Sequence, residues 1–301
     1  MLRKVYRIMA GGRMKTTEAL IGYLFIVPVL AHLLIFTYFG IIYSGILSLY
    51  QGTLLSPFKH FIGLYHYFFL LRQEYFLRGV YNTLLFCGGV VPVGAGIGLF
   101  FALLINQKLA GRTFFRVMWY APVVTSIVAA VNVWLWMYNV DYGLFNSILT
   151  RIGLPKLEWI YSTKTALMSI MIVYLWQSVP FSMIIYLAAL QGVPGQLYEA
   201  AQVDGASVWK QFYKITLPMI MPTTYFIIIV STINALNAFT QVYLMTGGGP
   251  VSSTTMVGYQ IYEAAFEFNM WGRGSAIAVL FFFLVLCFSF IQYRYIPESY
   301  V

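Results

Sequence analysis

Long apolar runs parted by short polar connections recur along the chain. Six are long enough to cross a bilayer as helices: residues 20–43, 80–105, 114–138, 165–190, 222–245 and 274–296. At ~1.5 Å of rise per residue, each covers a hydrocarbon core of about 30 Å. A helix closes its backbone hydrogen bonds within itself, as lipid demands. The pattern predicts an all-α polytopic membrane protein with six transmembrane helices. Residues 44–79 read as a long aromatic external segment. Two shorter helices are expected outside the spans, at 144–152 and at 256–266.

Composition agrees: 60% of residues are hydrophobic and 9% charged, against about 25% charged in a soluble domain. A net charge of +9 would suit nucleic acid, but the basic residues flank apolar runs, as membrane topology requires. With the N-terminus inside, inner segments hold eleven of the 18 Lys and Arg, five of them in the cluster Arg3, Lys4, Arg7, Arg13 and Lys15. Both termini are therefore expected in the cytoplasm, in a multi-pass protein of the cell (inner) membrane. The run at 20–43 is too long for a signal-peptide core and no small-residue cleavage site follows, so it reads as a retained span.

Several chemistries find no support. Cys87 and Cys287 are distant and intramembrane, which gives no disulfide framework. His60 and His66 have no carboxylate at helical spacing, so no metal site is expected. The Thr246-Gly-Gly-Gly-Pro250 stretch lacks the strand and Gly-Lys-Ser/Thr ending of a P-loop and reads as a helix stop with a sharp turn. An intramembrane enzyme needs clustered His, Asp or Glu, and His32, His60 and His66 have no such company. An ion-coupled secondary transporter would carry an intramembrane Asp, Glu or Lys relay and an internal repeat; neither is read.

The most polar connection between two apolar runs is 195–218. Pro194 and Gly195 open a helix. Glu199-Ala200-Ala201 presents little side chain beyond the glutamate, Asp204-Gly205 suits a left-handed cap, and Ser207 can start a second helix. Trp209, Phe212 and Tyr213 form one apolar stripe on it. Leu217-Pro218 is expected to end the segment. A plain amphipathic connector would fit these features too.

Glu199-Ala200-Ala201, three residues, Gly205, nine residues and Ile215-Thr216-Leu217-Pro218 match every defined position of the EAA signature. Over about residues 77–295 the chain resembles the permease subunits of binding-protein-dependent ABC importers. The 246–250 turn followed by Ser252 to Thr254 resembles the sugar-importer subgroup, maltose-type first subunit. The larger members of that subgroup carry extra N-terminal spans and a big external insert, which this sequence does not show. The resemblance implies a type I ABC importer permease fold at 77–296, after a basic segment (1–19) and a first span with its external segment (20–76), and before a short tail (297–301). It implies that 195–218 forms a coupling helix in a cleft of an ATP-binding subunit. Glu199 and Gly205 would anchor and shape it, Ala200, Ala201 and Asp204 would lie in or near the contact, and Ile215, Leu217 and Pro218 complete the motif. The implied partners are a second homologous permease subunit, two ATP-binding subunits, an extracytoplasmic solute-binding protein and the lipid bilayer. No catalytic residue or cofactor belongs to this chain; ATP and magnesium belong to the partner ATPase.

Polar residues inside spans serve packing or a pathway. Tyr174, Gln177, Ser178 and Phe181 share one face of the fourth span. Ser231, Asn234 and Ala238 share a face of the fifth, with Asn237 and Gln241 beside it. In the resembled permeases these stretches line the sugar site. Amides and hydroxyls match sugar hydroxyls, and aromatics match the apolar faces of the ring. Interhelical hydrogen bonding is the other reading; Asn82 and Asn132 are assigned to packing. The expected substrate is an oligosaccharide, or alternatively a polyol or glycerol-phosphate-type solute.

Overall fold

A computed structural model describes residues 16–107 and 111–295. The cluster from Arg3 to Lys15, Lys108 and the 297–301 tail lie outside the described residues. The first apolar run forms one rod: α1 (Thr16–His32), a π-helical stretch (Leu33–Tyr38) and α2 (Phe39–Leu47). None of its most apolar stretch is buried against the rest of the chain. After it, β1 (Tyr50–Gln51) pairs antiparallel with β2 (His60–Phe61), Tyr50 opposite Phe61, and α3 (Tyr65–Leu70) follows.

The bundle is built on α4 (Glu74–Asn106) and α8 (Ala166–Gln191), which run parallel. Their register is read from close approaches: Gly89 against Met171, Gly94 against Leu175, Gly98 against Ser182. A Cβ at Gly98 would meet the Ser182 Cβ at 2.7 Å. Small residues are what allow helices to close up in lipid, where burial of apolar surface gives no advantage over lipid tails. Two core clusters result. One holds Phe86, Ile170, Val173, Leu236 and Met256; the other holds Ala102, Met183, Tyr186, Leu190 and Ile220 beside the 195–218 connection.

Three expectations are corrected. The run at 114–138 is two helices, α5 (Arg112–Val124) and α6 (Ile127–Met137), bent by 97°. Thr125 and Ser126 between them have extended ψ angles of 132° and 127°. Pro122 lacks an N–H, and the Thr125 hydroxyl donates to the Ala121 carbonyl at 2.9 Å. Among the described residues, five helices are thus long and apolar enough to cross a membrane, or six if the bent pair is one span.

Second, Leu217-Pro218 does not end its helix. After α9 (Gly195–Val203), α10 (Val208–Gln211) passes through a π-helical turn (Phe212–Thr216) into α11 (Leu217–Leu236). The Leu217 N–H donates to the Phe212 carbonyl five residues back. That wider turn takes up the missing donor and ring bulk of Pro218. Third, the 222–245 run breaks after Leu236. The Asn237 side chain donates to the Ile233 carbonyl at 2.8 Å, the backbone there has φ −86° and ψ 13°, and a separate α12 (Thr240–Met245) follows. Such local side-chain bonds compete with the helix ladder.

The expected short helices form, as α7 (Leu144–Arg151) and as α13 (Val257–Tyr262) with a π-helical end (Glu263–Glu267). The last rod is α14 (Trp271–Arg294). Asn82 packs as expected. Its amide donates to the Ser252 carbonyl at 3.2 Å and the Thr255 carbonyl at 2.9 Å, which pins the 246–256 turn to α4. Gln260 Nε2 donates to the Tyr75 carbonyl at 2.6 Å and the Tyr75 hydroxyl to Glu263 at 2.6 Å. Burial raises the Glu263 carboxyl above its ordinary range; the Tyr75 bond opposes that and Glu267 reinforces it. Asn82→Ala is expected to cost about 1–3 kcal/mol by stranding two carbonyls. Asn132→Ala, whose exposed amide bonds only its own helix at Val128, is expected to leave stability unchanged. Thermal unfolding of both variants in detergent compares them directly.

Candidate functional site

The 195–218 connection is an elbow made by local chemistry. α9 ends in a Schellman motif: the Ala206 N–H donates to the Ala201 carbonyl at 2.8 Å and the Gly205 N–H to the Gln202 carbonyl at 3.0 Å. Gly205 sits at φ +71°, where a side chain would be strained. The Ser207 hydroxyl accepts from the Lys210 N–H at the start of α10, and Gln211 Nε2 closes onto the Ala206 carbonyl at 2.9 Å. One further bond ties the two arms, between the hydroxyls of Tyr198 and Thr216 at 2.9 Å.

No residue of α9 or α10 is buried. Glu199, Ala200, Asp204 and Pro218 are exposed, and Ala201, Ile215 and Leu217 are half-buried. Val203, Val208 and Trp209 are 88%, 81% and 71% exposed. Trp209 stacks on Tyr213 with ring centroids 6.3 Å apart, so much of the expected apolar stripe faces outward. A compact, pinned elbow with this much free apolar surface has the form of an anchor for another protein.

Between the two core clusters lies a cavity of about 110 Å³. Tyr174, Ser178, Phe181 and Ser182 of α8, and Ser231 and Asn234 of α11, form two of its walls. Five of the eight residues singled out for a pathway are brought together there. The other three are not. Gln177 and Gln241 bond each other at 3.3 Å, Gln241 being buried on α12. Asn237 folds back onto its own helix. The third wall, Val90, Val91 and Gly94 of α4, carries no polar group by which sequence reasoning could find it. Ser182 was findable, four residues beyond Ser178. No charged residue lines the cavity.

The elbow and the cavity share their helices. α8 leads into α9, and α10 continues into α11, so both arms of the elbow extend to polar walls of the cavity.

Residues 94–298 match the family described as the binding-protein-dependent transport system inner membrane component. The trehalose/maltose transport system permease protein MalF of Thermococcus litoralis is 36% identical, over 94% of this chain and 95% of that protein. The sn-glycerol-3-phosphate transport system permease protein UgpA of Yersinia pestis is 29% identical, over 92% of this chain and 94% of that protein. A chain in the crystal structure of a bacterial alginate ABC transporter, in complex with an alginate pentasaccharide-bound periplasmic protein, superposes with a TM-score of 0.82. It is 25% identical and covers 92% of this chain and 93% of that one. The bent, glycine-packed bundle and its exposed elbow are thus those of a multi-pass transport subunit rather than an enzyme, and the chain belongs to the binding-protein-dependent transport system inner membrane component family.

Proposed function

We propose that this chain is one of two permease subunits of an ATP-driven importer for a neutral, hydroxyl-rich solute, most simply an oligosaccharide. The observation that carries the reading is the continuity of the elbow with the polar cavity walls. An ATP-binding subunit gripping 195–218 would move α8 and α11 together. Glu199, with no hydrogen-bond or ion-pair partner among the described residues, would supply a charged contact. Ala200 and Ala201 would allow close approach, and Gly205 would hold the bend. ATP and magnesium would act on that partner, not on this chain.

In this reading the bent α5–α6 pair counts as the third of six spans, both termini are cytoplasmic, and residues 77–296 form the permease domain after the first span and external segment. Solute would arrive from an extracytoplasmic binding protein at the end of the bundle opposite the elbow. A cavity of about 110 Å³ falls well below the ~300–1,000 Å³ typical of ligand pockets. A second permease subunit would therefore complete it. Hydroxyl, amide and aromatic groups without charge suit a sugar. A glycerol-phosphate-type solute, the cargo named for one relative, would lack a cationic partner at these walls.

Gly205→Asp and Glu199→Lys are expected to abolish uptake while leaving the subunit in the membrane at normal abundance; uptake assays with immunoblotting check this, and normal uptake by both would defeat the coupling role. Asn234→Ala and Ser178→Ala are each expected to weaken solute handling by roughly 2–10-fold, the worth of one hydrogen bond of ~0.5–1.5 kcal/mol. Gln177→Ala, which loses a helix-to-helix contact, is expected to lower the melting temperature instead. A panel of trehalose, maltose, glycerol 3-phosphate and alginate oligosaccharides in reconstituted vesicles separates the solute classes.

A further inference from the structure

A second cavity, of about 520 Å³, lies at the opposite end of the bundle from the elbow. It is formed where the 50–61 hairpin and α3 meet the start of α14. Its walls carry Lys59, His60, His66 and Arg273, with the amide of Asn269, and no Asp or Glu. Glu74–Arg78 is the sole ion pair among the described residues, so no carboxylate there is in ion-pair contact with Lys59 or Arg273.

Two of these groups are held in place and left short of partners. His66 is 6% exposed; its Nε2 lies 3.3 Å from the Tyr50 carbonyl, and its buried Nδ1 has no partner. Arg273 lies over the Phe69 ring at 4.7 Å, and its buried Nε also has no partner. Burial holds the His66 imidazole below its ordinary range; the Tyr50 bond opposes this and Arg273 adds to it. The site's charged partners are Lys59 and Arg273. Buried polar groups are ordinarily satisfied, and a cationic concavity without a counter-charge favours an anion.

The hairpin packs closely on α14: a Cβ at Gly272 would meet the Tyr50 carbonyl oxygen at 1.9 Å, and the Gly272 N–H donates to the Gly52 carbonyl at 3.4 Å. A Cβ at Gly52 would meet the Pro57 oxygen at 1.8 Å, so the hairpin is itself tightly folded.

We propose that this cavity is a binding site for an oxyanion of phosphate type, with Arg273 and Lys59 as its charged partners. The anion straps the external segment to the last span. It is either free phosphate or the headgroup of an anionic lipid, since the site stands beside the membrane-spanning rods. This is independent of what the central cavity carries: the transport reading can fail while this site stands, and the reverse.

The test uses the purified full-length chain in nanodiscs of neutral phosphatidylcholine, titrated with inorganic phosphate at constant ionic strength and followed by 31P line broadening. Saturable broadening is expected. Arg273→Gln and the exposed Lys59→Gln are each expected to weaken it at least ~10-fold, as loss of a charge-assisted contact worth ~1.5–3 kcal/mol implies. Lys59→Gln guards against a folding defect, because its exposed side chain has no hydrogen-bond or ion-pair partner among the described residues. Nanodiscs containing phosphatidylglycerol separate the sources: competition assigns the site to a lipid headgroup, and unchanged phosphate binding assigns it to the free ion. No saturable broadening with the wild-type protein, or equal broadening with both variants, overturns the proposal.

Discussion

Lipid offers a peptide group nothing to bond with, and the shape of this bundle follows from how the chain meets that constraint. Where a rod runs unbroken, the backbone ladder suffices. Where one departs from the α ladder, a specific group answers: the Thr125 hydroxyl on Ala121 at the 97° bend, the Asn237 amide on Ile233 at the end of α11, the five-residue reach from Leu217 to Phe212 around Pro218. The breaks thus occur where side chains or a widened turn bring their own bonding.

The same constraint leaves packing to shape alone. Gly94 and Gly98, about one turn apart on the same face of α4, let α8 come close in parallel. α11 and its elbow then lean on that pair. Side chains fill the bundle above and below, and the small polar cavity is what remains between two well-filled regions. Its position follows from where the small residues give way to Tyr174, Phe181 and Asn234.

Much of this was legible in the sequence for local reasons. The elbow declares itself through Pro194, Gly205 and Ser207, each acting on its own neighbours. Apolar run length found the rods. It could not find the bend at 125–126, because hydropathy measures length and not direction. Nor could it foresee the π-helical turn, since Pro218 reads as a stop when only α geometry is considered. The α4 wall of the cavity is apolar and gives no signal of function. The cationic cavity joins Lys59 and His66 to Arg273, more than two hundred residues away, a pairing that only the folded chain makes.

The widened turn at Phe212–Thr216 also sets the phase of everything after it. An α-helix advances by ~100° per residue, and a π-helical turn holds one residue more than its α counterpart. Were that residue taken back into a regular ladder, α11 would be rotated by roughly 100° about its axis relative to the elbow. Ser231 and Asn234 would then swing off the cavity by rather more than a quarter revolution. A proline tolerated beside the membrane surface therefore keys the azimuth of the polar groups more than a dozen residues farther along the rod.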